Sequence, residues 1–182
     1  MADLTDDAGR DAALAALLAD AGEAPDVLVN AAGVFHIAAC HETDLDTLDR
    51  TWAVNLRAPY ALVRALLPRM LERRSGLIVN VGSVASHRAF PGNSAYSASK
   101  YGLRGFHEVL VEELRGSGVR ATLLEPAATD TPLWDPLDPD ADPHLPDRAD
   151  MLRADDVADA VLWLCTRPAN VQVPHMVIER GG

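Results

Sequence analysis

The stretch GLIVNVGS, residues 76–83, is an apolar run without the polar alternation of a half-exposed strand, and it ends in glycine and serine. Strands that are apolar on both faces are typical of a parallel sheet covered by helices on both sides. The stretches DVLVNAAG (26–33), VRATLLEP (119–126) and VQVPHMVIE (171–179) are three further candidate strands. The sequence therefore predicts an α/β fold with an open, doubly wound parallel sheet.

Helical patterns separate these strands, as a doubly wound sheet requires. They are residues 6–22, 43–74, 94–116 and 153–167. We expect the second pattern to bend or break between Asn55 and Pro59, because proline disrupts a helix interior. No repeat or linker divides the chain, so residues 1–182 are predicted to form one domain.

Small or polar residues follow three of the predicted strands. They are NAAG at 30–33, GSVAS at 82–86 and PAATDT at 126–131. In doubly wound sheets ligands bind beyond the carboxyl ends of the strands. We therefore expect the functional site at this edge.

The composition argues against several classes of protein. No run reaches the roughly 18 apolar residues that a membrane span needs, and the acidic N-terminus lacks the pattern of a secretory signal. A formal net charge of −11 argues against nucleic acid as a partner, since phosphate binding needs basic patches. Cys40 and Cys165 form no disulfide framework. We expect a cytoplasmic protein with a small-molecule partner, and backbone N–H groups could still hold an anionic cofactor.

Lys100 is the single lysine among the 16 lysine and arginine residues of the chain. It lies four residues after Tyr96, so the amine and the phenol share one face of the predicted helix. A neighbouring cation lowers the pKa of a tyrosine, which would make Tyr96 a general acid or base usable near neutral pH. The plainer interpretation is a surface lysine that happens to follow a tyrosine.

Five motifs follow one another along the chain, namely NAAG, VNLRAP, strand-Gly-Ser, YSASK and PAATDT. Their order resembles the short-chain dehydrogenase/reductase family over nearly the whole chain. The resemblance implies a Rossmann-like fold and a set of catalytic residues, namely Asn55, Ser83, Tyr96 and Lys100. Tyr96 would exchange a proton with a substrate oxygen that Ser83 holds. Lys100 would contact the nicotinamide ribose, and Asn55 would keep a water in the proton path.

The same resemblance implies NAD or NADP as cofactor at the strand ends. Its binding residues would be Asp3, Asn30, Ala31, Gly33, Tyr96, Lys100, Pro126 and Thr131. Asp3 would face the adenine, and Thr131 would touch the carboxamide or pyrophosphate. Ala127 stands where the family usually has glycine after the proline. Asn30 and Gly33 also suit a tight turn without any ligand.

Residues 130–150 carry seven aspartates and five prolines. We interpret them as a mobile loop rather than a calcium site, because the acids lack EF-hand spacing. Since the segment directly follows a strand, it is also a candidate substrate loop that covers an apolar pocket with Trp134. His36 and His87 are further candidates for this pocket, or else polar loop residues. No spacing of metal ligands is evident, so no metal is expected.

The resemblance begins only at ADLTD, residues 2–6, and the chain contains no G-x-x-x-G-x-G motif. We therefore expect the family's N-terminal glycine-rich βαβ segment to be missing. Either the sequence is a fragment or has a late start, or the protein is naturally shortened. The loss would leave strand 26–33 on an exposed apolar edge and would weaken pyrophosphate binding.

The leading hypothesis is an NAD(P)-dependent oxidoreductase that interconverts a secondary alcohol and a carbonyl by hydride transfer, with Tyr96 as general acid/base. The alternative is a non-catalytic or cofactor-deficient, reductase-like binding or scaffold protein. Apolar helix faces at 55–73 and 94–115 indicate a homo-oligomer, a dimer or tetramer, although burial within one domain would also explain them. The sequence specifies neither the substrate nor the choice between NAD and NADP.

Overall fold

Helices and strands alternate along the chain. The computed structural model describes residues 3–22 and 24–181. The helices are α1 (Asp7–Ala21), α2 (Leu45–Trp52), α3 (Ala58–Glu72), α4 (Ser94–Glu113) and α5 (Ala154–Cys165). The strands are β1 (Val27–Asn30), β2 (Gly76–Val81), β3 (Val119–Pro126), β4 (Thr129–Asp130), β5 (Leu152–Arg153) and β6 (His175–Ile178). Within these described ranges, no helix has both the length and the apolarity to cross a membrane.

Four strands form the central sheet in the order β1-β2-β3-β6, and each neighbouring pair is parallel. The longest pairing aligns Gly76 with Val119 and Val81 with Leu124. Because the strands run the same way, the segments that follow β1, β2 and β3 lie at one edge of the sheet. The predicted parallel α/β sheet is confirmed.

Two apolar layers cover the two faces of this sheet. On one face, Ile78 of β2 belongs to a buried cluster with Leu66 of α3 and Leu110 of α4. On the other face, Val79 of β2 belongs to a cluster with Leu164 of α5. Burying one such side chain is worth about 1.5–3 kcal/mol relative to leaving it exposed. Alternate residues of β2 therefore anchor helices on opposite sides and hold the strand end in a fixed position.

Strand β1 is one of the two edges of the sheet in the part of the chain that the structure describes. Its Val29 is 41% exposed, and it lines a small cavity together with Leu4 and Leu62. This arrangement agrees with the expectation of an exposed apolar edge at residues 26–33.

The long helical pattern at 43–74 is interrupted by a π-helical turn, Ala53–Arg57, between α2 and α3. The predicted irregularity between Asn55 and Pro59 is thus confirmed. Pro59 is the second residue of α3 and directly follows the π turn, so its missing N–H falls at the irregular part of the helix. A π turn re-aims the side chains around it and is frequent at functional sites, and here it directs Asn55 into the interior.

The aspartate- and proline-rich segment folds into short 3-10 turns. They are Pro132–Leu137, Pro139–Ala141 and Arg148–Asp150. The guanidinium of Arg148 binds the carboxylates of Asp130 and Asp135. Strands β4 and β5 pair Thr129 with Leu152 at the base of the segment. The predicted loop is therefore closed at its base and tied internally by one arginine.

Candidate active site

Ser83, Tyr96 and Lys100 come together at the edge where β2 ends. The side chain of Ser83 caps a 3-10 turn by accepting a hydrogen bond from the N–H of Ala85 at 3.1 Å. Tyr96 and Lys100 lie one turn apart on α4, and the amine is 5.6 Å from the centre of the phenol ring. The Ser83 side chain lies near the Tyr96 phenol, close enough to lower its pKa in part. A hydroxyl pair and a cation thus share one place in the fold.

Lys100 is buried, with 5% of the residue exposed. Its Nζ donates a hydrogen bond to the carbonyl oxygen of Val81, the last residue of β2, at 3.0 Å. Burial lowers the pKa of Lys100 to about 8, while the charge of Glu125 acts in the opposite direction. The alternative of a surface lysine is therefore wrong. An ammonium group has three N–H donors, and the described residues supply a hydrogen-bond partner for one of them.

The expectation that Lys100 lowers the pKa of Tyr96 is wrong for this structure. The pKa of Tyr96 is raised above 10.0, chiefly because burial disfavours the phenolate, and the nearby Ser83 side chain offsets only part of that effect. Helical spacing identifies the neighbour of the phenol but not its exposure to water. Tyr96 is consequently a proton donor at neutral pH in the structure as it stands.

Asn55 links the π turn to the loop after β1. Its Oδ1 accepts a hydrogen bond from the N–H of Val34, and its Nδ2 donates to the carbonyl oxygen of Val34, both at 2.9 Å. The same Nδ2 donates to Ser99 Oγ at 3.1 Å. Both amide hydrogens are therefore used within the chain, and the second lone pair of Oδ1 is the position from which Asn55 can bind a water.

An aromatic cluster lies beside the phenol. The ring of Phe35 contacts the ring of Tyr96 edge to face, with 4.8 Å between centroids, and the ring of Trp134 with 5.1 Å. Trp134, a predicted substrate residue, is thus connected to Tyr96 through Phe35. His36 is exposed, and its neighbour Phe35 makes the contact instead. Phe35 was not predicted, although its signal was an aromatic residue two positions after the NAAG turn.

His87, the other predicted pocket histidine, belongs to a cluster around Glu125. Its Nδ1 lies 3.2 Å from Glu125 Oε2 and 3.2 Å from Ser86 Oγ. His175 of β6 also contacts the Glu125 carboxylate. This cluster was not predicted, and its only signal was the single carboxylate in the strand VRATLLEP. No group of three or more His, Cys, Asp or Glu side chains among the described residues is placed to hold a metal ion.

Asn30, at the end of β1, begins a directional chain of buried hydrogen bonds. Its Nδ2 donates to Asn80 Oδ1 at 2.8 Å, and Asn80 Nδ2 lies 3.2 Å from His107 Nδ1. His107 Nε2 lies 2.9 Å from the carbonyl oxygen of Pro174, which can only accept, so Nε2 carries the proton. Burial lowers the pKa of His107, consistent with a neutral ring. The chain leaves Asn30 Oδ1 buried without a partner in the described residues.

The other predicted cofactor residues lie around this strand edge. Ala31 and Gly33 are exposed directly after β1, and Pro126 ends β3. The Asp3 carboxylate accepts hydrogen bonds from the N–H and the hydroxyl of Thr5, and the adjacent Leu4 lines a cavity with Asn30 and Ala31. Thr131 begins the first 3-10 turn of the loop. The free acceptor of Asn30 and the free N–H donors of Lys100 fit a ligand that carries hydroxyl groups.

Comparisons with known proteins agree with this geometry. A family model described as short chain dehydrogenase matches residues 1–142. The 2-(R)-hydroxypropyl-CoM dehydrogenase of Xanthobacter autotrophicus is 37% identical over 180 residues, covering 92% of this chain and 70% of that protein. The closed form of serine dehydrogenase complexed with NADP+ superposes with a TM-score of 0.87 at 29% identity, covering 97% of this chain and 73% of the other. The 3-ketoacyl-(acyl-carrier-protein) reductase of Brucella melitensis, complexed with NADH, gives a TM-score of 0.85 at 28% identity, over 98% of this chain and 75% of the other.

Proposed function

The chain belongs to the short-chain dehydrogenase family, and on that basis we propose that it is an NAD(P)-dependent oxidoreductase that interconverts a secondary alcohol and a carbonyl compound. One observation carries the proposal. The Tyr96 phenol, the Ser83 hydroxyl and the buried amine of Lys100 lie together at the carboxyl edge of the sheet. Two hydroxyls at one strand end define a position at which one substrate oxygen can contact both.

The nicotinamide ring, when bound, supplies or accepts the hydride at the substrate carbon. In the reducing direction Tyr96 donates a proton to the oxygen that becomes the alcohol, and Ser83 holds that oxygen by a hydrogen bond. The raised pKa of Tyr96 suits this direction because the phenol stays protonated at neutral pH. In the oxidising direction Tyr96 must accept a proton although burial disfavours its phenolate. We propose that the charge of Lys100, 5.6 Å from the ring centre, assists this step once substrate and cofactor are bound.

Lys100 and Asn30 are the residues best suited to hold the cofactor. The two N–H groups of Lys100 without partners in the described chain can donate to ribose hydroxyls, and the buried Oδ1 of Asn30 can accept a hydrogen bond. Asp3, Ala31, Gly33, Pro126 and Thr131 complete the proposed binding edge. NADP+ and NADH in the structural relatives support a nicotinamide nucleotide in either form.

Titration of the purified chain with NADH and with NADPH, followed by nicotinamide fluorescence, tests cofactor binding. A screen of secondary alcohols and ketones with the preferred nucleotide then tests turnover, and 2-hydroxypropyl compounds are tried first because a relative's name specifies that group. Saturable binding with a reduced or oxidised product supports the proposal. Binding of neither nucleotide would contradict it and favour a reductase-like binding protein.

We also propose that α3 and α4 form the interface of a homo-oligomer. Tyr60 and Val109 are 51% and 59% exposed, and both line a groove between these helices. Exposed apolar residues at the centre of a helix pair suit association with a second copy. Light scattering should give at least twice the mass of the chain, and Val109→Asp should reduce that mass to the monomer value.

A further inference from the structure

Glu125 is a fully buried carboxylate next to the candidate active site. It belongs to β3, and no part of the residue is exposed. Ser86 Oγ donates to its Oε1, and His175 Nε2 contacts its Oε2. His87 Nδ1 lies 3.2 Å and Arg104 Nη1 3.7 Å from the same Oε2. Burying a carboxylate is costly unless it has hydrogen-bond donors and a counter-charge, and the cluster supplies both.

The Glu125 side chain lies against the end of β2, where Lys100 is bound. A Cβ built on Gly82 would come within 3.0 Å of Glu125 Cγ and 3.4 Å of its Oε1, so the glutamate packs directly on that glycine. Gly82 follows Val81, whose carbonyl oxygen accepts the Lys100 hydrogen bond. The amine and the carboxylate therefore occupy neighbouring positions around one backbone segment.

Lys100 needs a counter-charge because its burial favours the neutral amine. Among the described residues it forms no ion pair within 4.0 Å, and its one direct partner is an uncharged carbonyl oxygen. Charges interact strongly across a few ångströms when water is excluded. The charge of Glu125 raises the pKa of Lys100 and opposes the effect of burial.

We propose that Glu125 is a positioning residue of this site, whose buried carboxylate holds the Lys100 amine in its charged form. Its importance for turnover rests on the proposed function, because a charged Lys100 matters when Tyr96 must release or accept a proton. The charge coupling itself depends only on the folded chain. Glu125 touches neither the phenol nor the predicted substrate position, so it acts through Lys100.

Other titratable groups face Glu125 and are part of the pH response. His87 approaches from the segment between β2 and α4, Arg104 from α4, and His175 from β6. The amine of Lys100 faces the Val81 carbonyl and the ring of Tyr96. The decisive measurement must therefore follow Lys100 itself and not a mixture of these groups.

The single lysine of the chain makes that measurement possible. Protein produced with lysine labelled by 13C at the ε carbon gives one lysine resonance, which belongs to Lys100. Its chemical shift, followed from pH 6 upward, reports the pKa of this amine directly. Glu125→Gln should lower that pKa by roughly one unit, a tenfold change in acid dissociation. Glu125→Asp retains the charge and should restore much of the wild-type value.

Glu108→Gln is the matched control, because Glu108 pairs with the same Arg104 but lies on the surface of α4. It should leave the Lys100 titration unchanged. A folded Glu125→Gln protein whose Lys100 titrates like the wild type would overturn the proposal.

Gly82→Ala decides the question if Glu125→Gln does not fold. The added methyl group would lie 3.0 Å from Glu125 Cγ and 3.1 Å from Leu123 Cδ1, so the glutamate must shift by a few tenths of an ångström without changing its charge, and the pKa of Lys100 should change. An unchanged Lys100 titration in folded Gly82→Ala protein would equally contradict the coupling.

The resonance needs neither cofactor nor substrate, so failure of the proposed function leaves this test intact. If the chain is also active, Glu125→Gln should move the alkaline limb of the kcat/KM profile to lower pH, since Lys100 then loses its charge earlier. Glu125→Asp should move it back. If the enzyme is active and Glu125→Gln changes neither the kcat/KM pH profile nor the Lys100 titration, the inference is refuted. The oxidoreductase assignment then stays in place.

Discussion

The ring of Phe35 stands edge-on to the ring of Tyr96, with 4.8 Å between the centroids. Trp134 packs against Phe35 in the same manner at 5.1 Å. The predicted proton donor is therefore flanked by an apolar wall that joins the loop after β1 to the loop after β4. Substrate specificity is expected to depend on this wall, because apolar surfaces around a few polar groups are typical of small-molecule sites.

Trp134→Ala should raise KM for bulky apolar ketones by about tenfold and change kcat less, because the side chain contributes binding area and not a reacting group. Trp163→Ala is the control, since Trp163 is exposed on α5 and stacks with Arg167. Steady-state kinetics with a series of ketones of increasing size will measure the effect. Equal KM values for both variants would exclude Trp134 from the substrate pocket.

Tyr96→Phe should reduce turnover by about 10²–10⁴-fold, since it removes the proposed general acid/base. Cofactor affinity should change little, because the phenyl ring keeps its packing against Phe35. Tyr101→Phe, an exposed tyrosine on the same helix, should behave like the wild type. Retained turnover in Tyr96→Phe, with product confirmed by chromatography, would remove Tyr96 from the chemistry.

Lys100→Met should abolish activity yet stabilise the fold at pH 7. The pKa of Lys100 falls from 10.5 to about 8 on folding, a penalty of about 3 kcal/mol, and the lost hydrogen bond to Val81 returns about 1 kcal/mol of it. A depressed lysine pKa costs stability fully below pH 8, and the cost disappears as pH rises towards 10.5. Urea unfolding should therefore show the variant about 2 kcal/mol more stable at pH 7, with the difference shrinking at pH 10.

Arg148→Met should loosen the loop between β4 and β5, because it removes the contacts with Asp130, Asp135 and the carbonyl oxygen of Thr131. Exposed ion pairs contribute about 0–1 kcal/mol each. Loss of the three Arg148 contacts should increase the rate of limited proteolysis within the loop roughly five- to tenfold. Arg115→Met removes a comparable pair with Glu112 at the end of α4 and should leave loop cleavage at the wild-type rate.

The fold was predictable because its signals are local. Leu77, Ile78 and Val79 follow one another without a polar residue, so both faces of that strand had to be covered by helices. Pro59 predicted where the helix becomes irregular, but it did not predict that the irregularity is a π turn. The extra residue in a π turn is selected by packing around Asn55 and not by the helix propensity of that residue.

The environment of the candidate site was less predictable, because it depends on contacts between distant segments. The spacing of Tyr96 and Lys100 identified the pair, yet the direction of the Tyr96 pKa shift depends on burial. Glu125 meets Ser86 and His175 across separations of 39 and 50 residues. A lone glutamate in a strand does not reveal whether it faces water or the interior, so this cluster required the folded chain.

The burial of the only lysine also affects how the molecule can be handled. Amine-directed dyes and cross-linkers will find no lysine on the surface of the folded domain, and any conjugation at Lys100 would report unfolding. Cys40 is exposed while Cys165 is half-buried, so maleimide chemistry at Cys40 offers a route to oriented surface attachment. Cys40 lies five residues after Phe35 in the loop that packs beside Tyr96, so a fluorescent label there should also report ligands that enter next to the phenol.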